Sequence, residues 1–105
     1  FYFNRVVLSF MDDSLRERHY KISGRVQFVM FRDFSKRKAK ELEIKGFVRN
    51  ERDGTVFIIA QGNLRQLEKY EEYLYKGPIF ASVAKIEKEE RQLNKKYPEF
   101  KILYE

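Results

Sequence analysis

The chain contains no cysteine and a single histidine, His19. The first absence excludes disulfides, thiolate metal sites and thiol nucleophiles, and it permits a reducing compartment. The second leaves no histidine cluster for a metal, and any Ser-His-Asp triad would have to be built on His19, so zinc and triad chemistry are not expected. Long apolar runs are also missing. Val6-Val7-Leu8 is too short for a membrane span or a signal-peptide core. The chain opens with Phe1, and Met11 is a plausible natural start. Residues 1–18 are therefore expected to be an N-terminal extension, flexible or left over from expression or processing, ahead of one domain over residues 19–105.

What is present suffices for one core: of 105 residues, 43% are hydrophobic and 16% aromatic. The formal charge of +6 would attract nucleic acid, an acidic membrane surface or a small polyanion. Much of that charge is interleaved with glutamate, as in Lys36-Arg37-Lys38-Ala39-Lys40-Glu41 and Glu87-Lys88-Glu89-Glu90-Arg91, the pattern of a solvated face.

Asp12 to Arg18 reads as a polar lead-in. His19 to Gln27 reads as a strand, Phe28 to Arg32 as a loop, and Asp33 to Leu42 as a helix with Phe31, Ser35, Ala39 and Leu42 near the spacing of a buried stripe. The stop of that helix is imperfect. Gly46 lies too far along, and the capping position carries Glu43, which costs about 1 kcal/mol relative to Gly if it must turn left-handed. Gly46 to Asn50 and Thr55 to Gln61 form two strands joined at Glu51-Arg52-Asp53-Gly54, where Asp-Gly signals a hairpin. Gly62-Asn63 caps a second helix with the stripe Leu64, Leu67, Tyr70 and Leu74, stopped by Gly77-Pro78. Phe80 to Glu87 and Phe100 to Tyr104 complete the strands.

The order β-α-β-β-α-β plus a closing strand, with two one-striped helices that need a shared sheet, predicts an α+β ferredoxin-like sandwich. Its sheet is expected to be antiparallel, with both helices on one face and an extra C-terminal strand. RNA-binding modules use the same fold, but their aromatic octamer is absent: Lys45-Gly46-Phe47 begins like one and Val48-Arg49-Asn50 departs from it. Nucleic acid is not an expected partner.

Gly24-Arg25-Val26-Gln27-Phe28-Val29-Met30-Phe31-Arg32 sits where a strand hands over to a helix. The first amides of a helix lack internal partners and carry partial positive charge, and Arg32 adds a forked cation, so this junction suits a phosphate. Asn50 ends the next strand. If the two stretches lie on neighbouring strands, Asn50 and the loop face one small volume.

Residues 19–105 resemble the acylphosphatase family. Ile22-Ser23-Gly24-Arg25-Val26-Gln27-Phe28-Val29-Met30-Phe31-Arg32 matches the family's first motif, aliphatic-x-Gly-x-Val-Gln-Gly-Val-x-Phe-Arg, with one fixed position changed. Gly46-Phe47-Val48-Arg49-Asn50, Gly54, Val56 and Gly62 match the second motif. Gly77-Pro78 and the ending Tyr97-x-x-Phe100-x-Ile102-x-Tyr104 are similar as well. Two spaced motifs in the right order are far more specific than either alone.

The resemblance implies metal-independent, cofactor-free hydrolysis of the carboxyl-phosphate bond of acyl phosphates. It implies that Gln27, Phe28, Val29, Met30, Phe31 and Arg32 hold the phosphoryl group while Asn50 orients the attacking water. The expected partners are a small-molecule acyl phosphate and inorganic phosphate or sulfate, with no membrane, in a cytoplasmic monomer. The departure is Phe28, where the family has Gly inside the loop. A left-handed Phe there costs about 1–2 kcal/mol, and a ring pointing inward would fill substrate volume. The alternative is therefore a non-catalytic acylphosphatase-like domain that binds an anion or a partner.

Overall fold

The computed structural model describes residues 14–104. The elements are β1 (Arg16–Arg25), α1 (Phe31–Glu41), β2 (Lys45–Asn50), β3 (Val56–Gly62), α2 (Leu64–Lys76), β4 (Ser82–Arg91) and β5 (Phe100–Leu103). The five strands form one sheet in the order β4-β1-β3-β2-β5. Helix α1 packs on β2 and β5, and α2 on β3 and β4, covering one face in the expected ferredoxin-like α+β fold. Tyr20, Ile22, Val48, Ile58 and Ala60 from the sheet meet Phe31, Ala39, Leu67, Tyr70 and Leu74 from the helices in a single buried core.

The sheet is not wholly antiparallel as expected: β5 runs parallel to β2, pairing Gly46 with Phe100 and Arg49 with Leu103. The direction follows because β4 finishes, with Arg91 opposite Glu17, at the end of the sheet where β2 begins, so the connection crosses that end to the opposite edge and β5 starts beside the start of β2. Buried Gln61 anchors that connection. Its amide nitrogen donates to Lys95 O at 2.7 Å and to Glu17 at 2.8 Å, and its oxygen accepts from the Tyr97 N–H at 3.0 Å.

Boundaries also differ from the sequence reading: α1 spans Phe31–Glu41 rather than Asp33 to Leu42, and β5 ends at Leu103. Strand β1 begins at Arg16, three residues before His19, because Arg16, Glu17 and Arg18 pair with Gly62, Gln61 and Ala60 of β3. The expected extension before residue 14 lies outside the described residues. Strand β4 begins at Ser82 and continues to Arg91, since its polar end pairs with the equally polar start of β1. Phe80 falls outside it and is 73% exposed.

Strand β1 reaches the site through a bulge at Ser23/Gly24, where the pairing with β4 shifts. Gly24 has φ +124°, and a Cβ there would stand 2.2 Å from Ser82 O, so only glycine lets the strand pass at this point.

Helix α1 ends as anticipated, with Glu43 left-handed at φ 59°. The Ile44 N–H bonds to Ala39 O and the Glu43 N–H to Lys40 O, the paired bonds of a Schellman stop. Asn63 caps α2 with a reciprocal box: its side chain accepts from the Gln66 N–H at 2.9 Å while the Gln66 side chain accepts from the Asn63 N–H at 2.7 Å. The Gln66 amide also donates to Leu42 O, joining the start of α2 to the end of α1.

One charge is buried that the stripe of α2 did not announce. Glu71 accepts hydrogen bonds from Arg18, from the Tyr20 hydroxyl at 2.8 Å and from Lys88 at 2.8 Å. Burial alone would raise the Glu71 pKa, but the bonds from Lys88, Tyr20 and Arg18 outweigh it and hold the carboxylate below its ordinary value.

Candidate functional site

At the end of the sheet where β1 and β2 finish, the β1–α1 loop, the end of β2 and the segment after β5 enclose a cavity of about 410 Å³. Of the residues expected in the site, Phe28, Met30, Phe31, Arg32 and Asn50 line it. Gln27 and Val29 do not. Val29 packs against the core, and the Gln27 side chain turns to the β2–β3 hairpin.

The loop backbone has two left-handed residues, Phe28 at φ 62° and Met30 at φ 67°, with Val29 of negative φ between them. Alternation of this kind curls successive N–H groups toward a common centre, a concavity that suits an anion. Met30 is also the N-terminal cap of α1, and no side chain satisfies the first turn. The first cap-closing bond is Phe34 N–H to Met30 O at 3.0 Å. The N–H groups of residues 28–33 make no hydrogen bond among the described residues. They supply the partial positive charge of a helix start to the cavity.

Phe28 answers the objection raised by its own bulk. Its side chain is 91% exposed, so the ring stands at the mouth of the cavity and leaves the cradle open. The left-handed conformation is nevertheless adopted by a bulky residue, at about 1–2 kcal/mol.

Arg32, on the first turn of α1, is half-buried in the cavity wall. It forms no ion pair among the described residues; its guanidinium lies over the Tyr104 ring at 4.9 Å from the centroid. Stacking on an aromatic face orients the fork without using up its donors. Asp33, next to it, is exposed on the cavity rim.

Asn50 ends β2, opposite Val56 of β3. Its Oδ1 is buried and has no hydrogen-bond partner among the described residues. A buried acceptor left so costs about 1–3 kcal/mol, a cost folding alone does not require. The hairpin that carries Asn50 is tied directly to the loop: Gln27 Nε2 donates to Glu51 O and to Thr55 O, both at 2.8 Å. The hairpin is closed by Glu51 N–H to Thr55 O at 2.9 Å and by Asp53, which accepts from the Thr55 hydroxyl and N–H. Those two bonds, aided by Lys21, lower the pKa of Asp53 to about 2.

The structure thus brings Phe28, Met30, Phe31, Arg32 and Asn50 to one cavity, while the side chain of Gln27 is turned to the hairpin. Tyr104, Ile102 and Asp33 also line the cavity without having been singled out for it. Tyr104 had a signal, since it directly follows the closing strand at the sheet end that carries Asn50.

The sequence matches the acylphosphatase family profile over residues 18–102. It is 40% identical over 93 residues to an acylphosphatase of Borrelia garinii subsp. bavariensis, spanning 84% of this chain and 98% of that protein. It is 40% identical over 83 residues to an acylphosphatase of Archaeoglobus fulgidus, spanning 79% of this chain and 92% of that protein. The crystal structure of acylphosphatase from Bacillus subtilis superposes with a TM-score of 0.82 at 32% identity, covering 87% of this chain and all of that one (100%). The chain belongs to the acylphosphatase family.

Proposed function

We propose that the chain is an acylphosphatase whose loop amides and Arg32 hold the phosphoryl group while Asn50 orients the attacking water. Membership of the family supports the activity. The observation that supports the assignment of roles is the Asn50 Oδ1, orphaned among the described residues, sharing one cavity with a guanidinium and a curled run of amides that likewise lack partners among them.

In this reading the three terminal phosphoryl oxygens take the amides of the loop and the forked donors of Arg32. A water donates one hydrogen to Asn50 Oδ1, after a small turn of the amide toward the cavity, and presents its oxygen to phosphorus. The new P–O bond forms as the P–O bond to the acyl oxygen breaks: R–CO–O–PO₃²⁻ + H₂O gives R–COO⁻ + H₂PO₄⁻. A carboxylate is a good leaving group and the transferring phosphoryl is loosely bonded, so positioning and charge stabilisation supply the catalysis, and no strong general base is called for.

The same reading takes a small-molecule acyl phosphate as substrate, inorganic phosphate or sulfate as competing anions, and a cytoplasmic monomer that works without metal. The test is steady-state hydrolysis of benzoyl phosphate in EDTA, comparing the protein with Arg32→Ala and Asn50→Ala. Loss of turnover in both variants, with folding retained, is expected. Full turnover in either one would remove that residue from the mechanism. No turnover in the unchanged protein, despite stabilisation by phosphate, would make it a binding domain.

A further inference from the structure

We propose that Phe28, Met30 and Tyr104 form an apolar lip that selects acyl phosphates with aromatic or extended alkyl acyl groups over small or anionic ones. The proposal rests on the hydrolytic reading above and specifies its substrate class. A phosphoryl group seated on the loop amides and Arg32 has only one way to direct its acyl substituent, outward through the mouth of the cavity. The mouth is where the exposed apolar side chains stand: Phe28 is 91% exposed, Tyr104 73% and Met30 67%, and all three line the cavity.

Phe28 is the informative member. It occupies a left-handed position at φ 62°, where glycine would be free of strain. At 91% exposure it adds almost nothing to the core. A residue that strains the backbone and packs against little of the fold has its natural contact in what enters the cavity. Tyr104 faces both ways, since its ring also carries the Arg32 guanidinium. An aromatic acyl group thus meets rings on a site already held by its phosphate.

The apolar character extends beyond the lip. Ile79 and Phe80, 89% and 73% exposed, belong to the connection that enters β4 at Ser82, which pairs with Arg25 at the end of β1. They therefore lie at the same end of the sheet as the cavity. Of the residues lining the cavity Asp33 alone carries a carboxylate, exposed and 3.7 Å from Arg37, and beyond Arg32 the lining offers no cation to a second negative group on the acyl side.

The test is kcat/KM for acetyl, butyryl, hexanoyl, benzoyl and succinyl phosphate at fixed ionic strength, with the full chain and with Phe28→Gly and Met30→Asn. Partial burial of each methylene on an open lip is worth about twofold, so hexanoyl should exceed acetyl phosphate by about tenfold or more. Benzoyl should rank with hexanoyl, and succinyl below butyryl. In Phe28→Gly the hexanoyl-to-acetyl ratio should fall to about 2, carried by KM; because the ratio is taken within each variant, any change in phosphate binding through the loop backbone cancels from it. Met30→Asn, which suits a left-handed cap, should lower the ratio independently. A flat series in the unchanged protein, or a ratio that survives both substitutions, overturns the lip alone. Absence of turnover with every member overturns the hydrolytic reading, and this one with it.

Discussion

Asn50→Leu should make the protein more stable and inactive at once. The Asn50 side chain makes no hydrogen bond to another described residue, and its Oδ1 is buried without a partner. Removing such an acceptor relieves a penalty of about 1–3 kcal/mol. The lower end applies here, because the amide borders a cavity and a small rotation reaches water. A leucine would also lie against Val26, Phe31 and Ile102, which line the same cavity. Against this stands the change of residue at a strand end, worth a few tenths on a scale spanning about 1 kcal/mol. The net expectation is a gain of about 1 kcal/mol, or about 4–8 °C in Tm for a domain of this size.

Thermal melts in phosphate-free buffer measure the gain. Benzoyl phosphate turnover should meanwhile fall at least about 100-fold, since a water no longer held in line forfeits the benefit of positioning. Added phosphate should still stabilise the variant, by about 2.7 kcal/mol at 100 times its Kd, and raise its Tm, because Arg32 and the loop amides are untouched. A Tm equal to or below that of the unchanged protein would mean that the Asn50 amide is engaged in folding. In that case the orphaned acceptor could not be read as a site held ready for water.

Glu43→Gly should stabilise the protein by about 0.5–1 kcal/mol at unchanged turnover, because Glu43 is left-handed at φ 59° and remote from the cavity; a lower Tm would refute the cost assigned to that conformation. Gln27→Met removes two hydrogen bonds to the hairpin, but Glu51 O still accepts from Gly54 N–H and Thr55 O from Glu51 N–H, so the loss should be near 1–2 kcal/mol, with kcat falling more than the affinity for phosphate. For Glu71 the folded pKa is depressed, so its stabilisation is fully present above the unfolded value near 4.5 and disappears as pH falls below it; Glu71→Gln should flatten acid unfolding in that range, and an unchanged pH profile would refute the assignment. The same substitution should cost about 2–3 kcal/mol at neutral pH, below the usual range for a broken buried pair because Arg18 keeps Glu90 and Lys88 is half exposed.

Features set by local rules were legible in the sequence. The Asp-Gly turn, the Asn63 cap, the left-handed Glu43 and the handover from β1 to α1 each depend on a few neighbouring residues, and each is found. That Arg32 and Asn50 share a cavity was legible because two spaced motifs placed one just after β1 and the other at the end of β2, although β3 lies between those strands. Features set by distant partners were not legible. Gln27 lies within the loop by spacing, and only the hairpin's free carbonyl lone pairs explain why its amide turns away from the cavity. Arg18 and Glu71 look like solvated charges until β1, α2 and β4 are brought together. The direction of β5 depends on Gln61 fixing a connection whose own residues carry no strand or helix pattern. Phe28 lay between the two cases: its strain was predictable from the position, whereas the outward direction of its ring required the surrounding loop.

The placement of charge also separates folding from function. At the end of β1 remote from the cavity, cations are committed: Arg18 to Glu71 and Glu90, and Lys88 to Glu71. At the cavity end, Arg32 has an aromatic face and, among the described residues, no carboxylate partner, although Asp33 is its neighbour in sequence. A carboxylate in the guanidinium fork would have to be displaced before a phosphate could bind, and that exchange would return most of the electrostatic gain. Stacking on Tyr104 avoids the exchange, because a ring orients the fork while leaving its N–H groups free. The left-handed Phe28 and Met30 belong to the same pattern, with local strain and unsatisfied amides concentrated where a ligand relieves them. Phosphate should therefore stabilise this protein chiefly by slowing its unfolding from the loop end, where an Arg32→Lys variant, keeping the charge but losing the fork, should lose most of the effect.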